Sequence, residues 1–254
     1  MIGIFDSGVG GLSLLNAVQR VYPFEDCLYI SDNKHAPYGE KKVSFILERC
    51  RKHIEFFIEQ GASIIIIACN TATTIAIKSL RKEFDLPFIG IEPAIKPAIT
   101  ISTSSKIGVI ATRATLSSSL YNTTKGKYAN PESVVEVIGE GFVEAVESGS
   151  IQSKSFQEQL RETIFFFKRH EVRYVVLGCT HYFFLKDEFE RIAGDTMKFI
   201  EPTEAIINRL QAIYGENHMS SSKQAKTSIY CSGAGDAVLR ILKGQKFRLL
   251  QLDY

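Results

Sequence analysis

Apolar runs broken by polar punctuation recur along this chain in the order strand, turn, helix. The plainest run is Ile64–Ile67, led in by Gly61-Ala62-Ser63 and followed by Ala68-Cys69-Asn70-Thr71. Four β-branched residues in succession predict a strand buried on both faces. A second run, Tyr-Val-Val-Leu-Gly at 174–178, ends in Cys179-Thr180-His181 in the same manner. Residues 1–5 predict a short strand that meets Asp6-Ser7-Gly8-Val9-Gly10-Gly11, after which residues 12–21 show helical spacing. Further strands are predicted at 27–30 and 87–91, and a helix at 72–84. The helical pattern over 43–60 is amphipathic, with Ile46, Ile54, Phe57 and Ile58 on the inner side and Cys50 at or near it.

A second series begins after Glu92. Pro93 and Pro97 flank a short helix, and residues 100–105 form a Ser/Thr-rich turn. Strands follow at 106–110, 134–138, 173–178 and 197–200. Helices are expected through Leu120 and Tyr121, over 155–170 with Phe165, Phe166 and Phe167 as core, to about residue 192, and from Thr203 to Tyr214. Residues 215–226 are polar and read as a loop. A last strand at 227–231, a short helix and an apolar stretch at 247–250 return to the first sheet. The pattern predicts an α/β fold: two similar Rossmann-like domains with mostly parallel sheets. The first is expected to hold residues 1–92 plus 208–254, the second residues 93–207.

Composition changes this picture little. At 254 residues, with 45% apolar and 23% charged positions, the chain has ample core for two modest domains. A net charge of +2 gives no reason to expect nucleic acid or an anionic membrane surface. No apolar run approaches the roughly 20 residues of a membrane helix, and the first residues carry no basic leader. Five cysteines, odd in number and widely spaced, argue against a disulfide framework. No C-x-x-C pair is present, so neither a metal site nor a dithiol redox site is expected. A reducing cytoplasm fits.

The chemistry concentrates where the strands end. In a parallel sheet the carboxyl edge is where ligands bind, and Cys69 and Cys179 each sit at such an edge before a helical pattern. One strand-end cysteine is often only a small hydrophobe. Two in matching settings fit a pair acting on opposite faces of one small substrate, one thiolate removing a proton and the other thiol returning one. Backbone N–H groups with Ser7, Asn70, Thr71 and Thr180 are placed to stabilise developing charge. His181 is near enough in sequence to share a proton with Cys179, and Asp6 with Cys69 or with a substrate ammonium. The turn at 6–11 lacks the spacing of a Walker A loop or a dinucleotide fingerprint. It suits a carboxylate-sized anion, or is simply a turn that needs glycines. Asp32 and Tyr38 lie in a loop suited to substrate contact, whereas His35 reads as exposed. Cys231, followed by Ser-Gly, reads as structural.

At these residues the chain resembles glutamate racemase, within the aspartate/glutamate racemase superfamily. The matching stretches are Asp6-Ser-Gly-Val-Gly-Gly11, Pro37-Tyr-Gly39, Ala68-Cys-Asn-Thr-Ala72 and Gly178-Cys-Thr-His-Tyr182. The resemblance implies a cofactor-independent isomerase that converts L- to D-glutamate for peptidoglycan synthesis, with Cys69 and Cys179 as its catalytic thiols. In the family pattern Cys69 would deprotonate D-glutamate and Cys179 L-glutamate. It further implies an active site in the cleft between the two α/β domains, with substrate contacts from Asp6, Ser7, Tyr38, Gly39, Asn70, Thr71, Thr180 and His181. Asp6 and His181 resemble the auxiliary acid–base groups, with Asp32 and Glu147 as further candidates. A sister racemase acting on aspartate or another amino acid is the alternative. A homodimer is common in the family. The chain departs from the pattern at Phe183-Phe184, at Ala111, and at Gly139-Glu140-Gly141, where many relatives have Cys-Pro.

Overall fold

The computed structural model describes residues 1–102, 106–215 and 225–254. Most of the loop expected at 215–226, and the end of the turn expected at 100–105, lie outside these residues. The chain forms two compact units, Met1–Ile91 with Thr203–Tyr254, and Glu92–Pro202. In order, the first unit contributes β1 (Ile2–Asp6), α1 (Leu12–Val21), β2 (Cys27–Ser31), α2 (Val43–Glu59), β3 (Ile64–Ile67), α3 (Asn70–Glu83) and β4 (Phe88–Gly90). The second holds α4 (Ile95–Ile101), β5 (Ile107–Ala111), α5 (Arg113–Ser117), α6 (Ser119–Tyr128), β6 (Val134–Ile138), α7 (Phe142–Ser148), α8 (Lys154–Arg169), β7 (Tyr174–Gly178), α9 (Lys186–Ala193) and β8 (Lys198–Ile200). The chain then returns to the first unit with α10 (Thr203–Tyr214), β9 (Thr227–Cys231), α11 (Asp236–Ile241) and β10 (Arg248–Gln251). All of α10 packs in the first unit, against α1 and β4, so its first turn belongs there and not with residues up to 207 in the second.

Every strand pairing is parallel. The first sheet runs β10-β9-β2-β1-β3-β4 and the second β6-β5-β7-β8. The four strands β2-β1-β3-β4 therefore have the same order as β6-β5-β7-β8. In each, the chain places its second strand on one side of the first and its third on the other. The carboxyl ends of β1 and β3, and of β5 and β7, flank a topological switch point, where a parallel α/β sheet leaves a crevice.

The likeness extends to side chains. On α2 the buried residues are Ile46, Arg49, Cys50, His53, Ile54 and Phe57; on α8 they are Phe156, Gln157, Leu160, Thr163, Ile164 and Phe167. Apart from Arg49 and Gln157 the spacing is identical, and Phe57 precedes Cys69 by as many residues as Phe167 precedes Cys179. Each phenylalanine lies against a glycine in the central strand of its sheet. A Cβ at Gly3 would stand 2.8 Å from the Phe57 ring, and one at Gly108 2.7 Å from the Phe167 ring. Just past the C-cap of each helix the backbone is left-handed, at Gly61 with φ +83° and at Glu171 with φ +59°. The core thus uses one packing solution twice.

Several expectations are corrected by this packing. Ile58 is 43% exposed and Phe165 64% exposed. A helix turns about 100° per residue, so adjacent residues such as Phe57-Ile58 or Phe165-Phe166-Phe167 cannot all face one sheet. Pro97 lies inside the first turn of α4 and does not flank it; there its missing N–H costs nothing. Between Cys179 and α9 the chain makes a 3₁₀ turn, Thr180–Leu185, in place of one continuous helix.

Candidate active site

In the first unit, β1 delivers Asp6 and Ser7 to the switch point and β3 delivers Cys69. Cys69 is the N-cap of α3, and its Sγ accepts a hydrogen bond from the Ala72 N–H at 3.4 Å. Its thiol donates toward the Ser7 hydroxyl at 3.6 Å. A thiolate here would meet that amide with a charge-assisted bond at a helix N-terminus. Asp6 is fully buried, and its Oδ1 accepts from the Gly8 N–H at 2.9 Å and from Ser7 Oγ at 3.3 Å. The carboxylate thus holds its own glycine turn in shape. Asn70 and Thr71 open α3 and are buried. Among the described residues, neither the Oδ1 nor the Nδ2 of Asn70 finds a partner. A buried amide with nothing to bond costs a few kcal/mol at most sites, and such a cost is sustained where a ligand satisfies it.

The second unit repeats the plan with different side chains. Cys179 follows β7 directly and is buried. Its Sγ lies 3.9 Å from His181 Nδ1, and His181 Nε2 lies 2.7 Å from Glu147 Oε1 on α7. If the ring donates Nε2–H to that carboxylate, Nδ1 is left as an acceptor facing the thiol. Glu147 is thereby an orienting partner for His181. Thr180 is also buried. Tyr182 donates its hydroxyl to the Gly139 carbonyl at 2.9 Å. A Cβ at Gly139 would clash with the Tyr182 hydroxyl, which accounts for glycine at this position. Burial, then the neighbouring Cys179 and Glu144, push the Tyr182 phenol well above its ordinary value, so it stays a neutral donor.

The loop from Asp32 to Gly39 is anchored at Asp32 by a buried ionic cluster. Asp32 is fully buried. It receives the Arg49 guanidinium in a fork, Nε to Oδ2 at 2.9 Å and Nη2 to Oδ1 at 2.8 Å. Tyr38 donates its hydroxyl to Oδ2 at 2.5 Å, His35 Nδ1 lies 2.9 Å from Oδ1, and His53 Nε2 lies 3.4 Å from Oδ2. His35 is accordingly tied to the loop and only half-exposed. Burial opposes ionisation of Asp32, but bonds from His53, Arg49 and Tyr38 outweigh it and hold the carboxyl well below the usual range. It has no proton to give at neutral pH. Tyr38, buried and beside that carboxylate, is pushed well above the ordinary phenol value and remains protonated. Gly39 stands at the half-buried end of the same loop.

Arg49 and His53 were not singled out by the sequence pattern, yet a signal exists. Positions 46, 49, 50, 53, 54 and 57 form one continuous helical stripe, so two polar residues lie on the buried face of α2. All five cysteines are buried, and none is in a disulfide. Among the described residues no group of three or more His, Cys, Asp or Glu is arranged to hold a metal ion, and no helix is long and apolar enough to cross a membrane.

Residues 30–210 match the Asp/Glu/Hydantoin racemase family model. The chain is 39% identical over 245 residues to a glutamate racemase of Clostridium perfringens, covering 95% of this chain and 94% of that one. Among solved structures it is similar to Escherichia coli glutamate racemase in complex with L-glutamate and the activator UDP-MurNAc-ala. That match has a TM-score of 0.85 and 27% identity, over 98% of this chain and 96% of the other. It is similar also to the Francisella tularensis glutamate racemase in complex with D-glutamate, with a TM-score of 0.84 and 26% identity, over 100% and 97% of the two chains. The chain belongs to the Asp/Glu/hydantoin racemase family and, within it, to the glutamate racemases, which are isomerases.

Proposed function

We propose that the protein interconverts L- and D-glutamate by a two-base route in which Cys69 and Cys179 act on opposite faces of the α-carbon, and that the D-glutamate supplies peptidoglycan synthesis. The observation that carries the reading is the equivalence of the two thiols. Each follows the third strand of the same four-strand arrangement, and each has a polar partner of its own, Ser7 for Cys69 and His181 for Cys179. The named relatives bound to L- and to D-glutamate support the substrate.

The steps balance without a co-reactant. One thiolate takes the α-proton and becomes a thiol; the electron pair stays on carbon as a carbanion; the opposite thiol gives its proton to the other face and becomes a thiolate. In this reading Cys69 deprotonates D-glutamate and Cys179 deprotonates L-glutamate. His181, oriented by Glu147, exchanges a proton with Cys179, and Asp6 meets the ammonium or Cys69. Asn70 bonds the substrate with its unpartnered amide, and Ser7, Thr71, Thr180, Tyr38 and Gly39 line the site. Asp32 acts through Tyr38 as an anchored anion rather than as an acid. A reducing cytoplasm keeps both sulfurs as thiols.

The test is loss of the α-proton signal of L-glutamate, then of L-aspartate, in deuterated buffer with no added cofactor. Exchange on glutamate with D-glutamate appearing is the expected result. Cys69→Ala and Cys179→Ala should each lower turnover by roughly a hundredfold or more while leaving the circular dichroism spectrum intact. Near-parental racemisation by either variant would sink the two-thiol route, and exchange confined to aspartate would move the substrate.

A further inference from the structure

The Asp32 cluster continues to the end of the chain. Arg49 Nη1 donates to the main-chain oxygen of Tyr254 at 2.8 Å, and the guanidinium carbon stands 5.3 Å from the centroid of the Tyr254 ring. The Tyr254 hydroxyl lies 3.0 Å from His53 Nδ1, and the same ring packs at 5.8 Å from both His53 and Phe56. Just upstream, Leu252 N–H donates to the Cys231 carbonyl at 2.8 Å. The turn after Cys231 grips the other side of the loop: Lys34 N–H donates to Ser232 Oγ at 3.1 Å, and Gly233 N–H to Asn33 Oδ1 at 2.9 Å. Two hydrogen-bonded routes thus connect residues 231–254 to the loop that carries Tyr38 and Gly39.

A buried ion pair adds little net stability over apolar packing, because desolvation offsets its Coulomb gain. A forked guanidinium–carboxylate pair does fix direction and distance. Arg49 uses its third nitrogen to extend that fixed geometry to Tyr254, and both nitrogens of His53 face the cluster, one toward Tyr254 and one toward Tyr38 and Asp32. The arrangement serves placement of a loop better than it serves cohesion of a core.

We propose that residues 252–254 form a clamp that sets the position of the Asp32–Gly39 loop, with Arg49, His53 and Tyr254 as positioning residues for substrate binding. The inference rests on the glutamate reading above. Misplacing a binding loop by about an ångström can weaken productive binding roughly ten- to a hundredfold, so release of the clamp should appear mainly in KM.

The experiment compares the parent with Tyr254→Phe, Arg49→Lys and a chain ending at Gln251. Each is measured for L-glutamate racemisation, for amide hydrogen exchange over residues 32–40, and for melting temperature. Tyr254→Phe removes one hydroxyl and keeps the ring, so it tests the clamp even if the other two fail to fold. The expected result is a KM raised about tenfold with kcat changed less, together with faster amide exchange over 32–40. A clamp that only stabilises the fold would lower the melting temperature and leave KM and loop exchange at parental values, and that result overturns the proposal. If the parent itself does not racemise glutamate, the functional reading has failed. The amide exchange then still decides whether the tail holds the loop, and unchanged exchange overturns the clamp independently.

Discussion

Asp32 shows how much of a side chain's setting is defined by its partners. A carboxylate in a loop near a ligand edge reads as a contact or an acid. In the structure it is the anionic centre of a buried cluster with Arg49, His53, Tyr38 and His35. Asp32→Asn should therefore destabilise the protein by about 3–5 kcal/mol, because Arg49 is left buried without its partner. The pH dependence has a definite sign. Asp32 is lowered in the fold, so its contribution is present above the ordinary carboxylate range and is lost as pH falls below about 4. His53 is lowered too, chiefly by burial. The unfolded chain then binds the extra proton first, so its contribution is present above about pH 6.5 and declines as pH falls. Urea unfolding at pH 8, 5 and 3 should show parental stability dropping across both steps. Asp32→Asn should flatten the lower one; an unchanged slope there would remove Asp32 from the account.

The elements are where sequence reading worked best and where its blind spots have clear causes. β3 and β7 are legible because a strand buried on both faces needs an unbroken apolar run. The cysteines at 69 and 179 are legible because each run stops in polar residues. The inner face of α2 was half legible: Ile46, Ile54 and Phe57 follow the helical period. Arg49 and His53 keep that period but are polar, and polarity alone sends them to the surface. Only their partners, 17 and 21 positions upstream at Asp32, make burial tolerable. The same limit applies to Asn70, whose orphaned amide is a property of the packed site. The paired helices also yield a prediction. Gly61 and Glu171 hold equivalent left-handed positions, and a non-glycine residue there is strained by roughly 1 kcal/mol. Glu171→Gly should raise stability by about 0.5–1 kcal/mol, read from the denaturant midpoint, whereas Gly61→Glu should lower it. Equal and negligible shifts would mean that the two turns are not equivalent.

At the scale of the whole molecule the two units differ in chain continuity. Glu92–Pro202 is one uninterrupted segment with its own four-stranded sheet, whereas the first unit needs residues 203–254 to supply β9 and β10. Residues 92–202 expressed alone should fold cooperatively and retain α/β circular dichroism without racemising glutamate. Residues 1–91 alone leave β2 without β9 on its outer edge, and should be aggregation-prone. Cooperative unfolding of the 1–91 fragment would contradict this assignment. By itself the sequence determined the class of elements, their order, the two strand-end thiols and the Asp6-to-Gly11 turn. All of these follow from local periodicity and from chemistry carried by neighbouring residues. The order of the strands within each sheet, the identity of the partners around Asp32 and the closure of Tyr254 onto Arg49 and His53 were decided only by tertiary structure. Contacts between distant positions leave no periodic trace, and a polar residue becomes a core residue only when the fold brings it a partner.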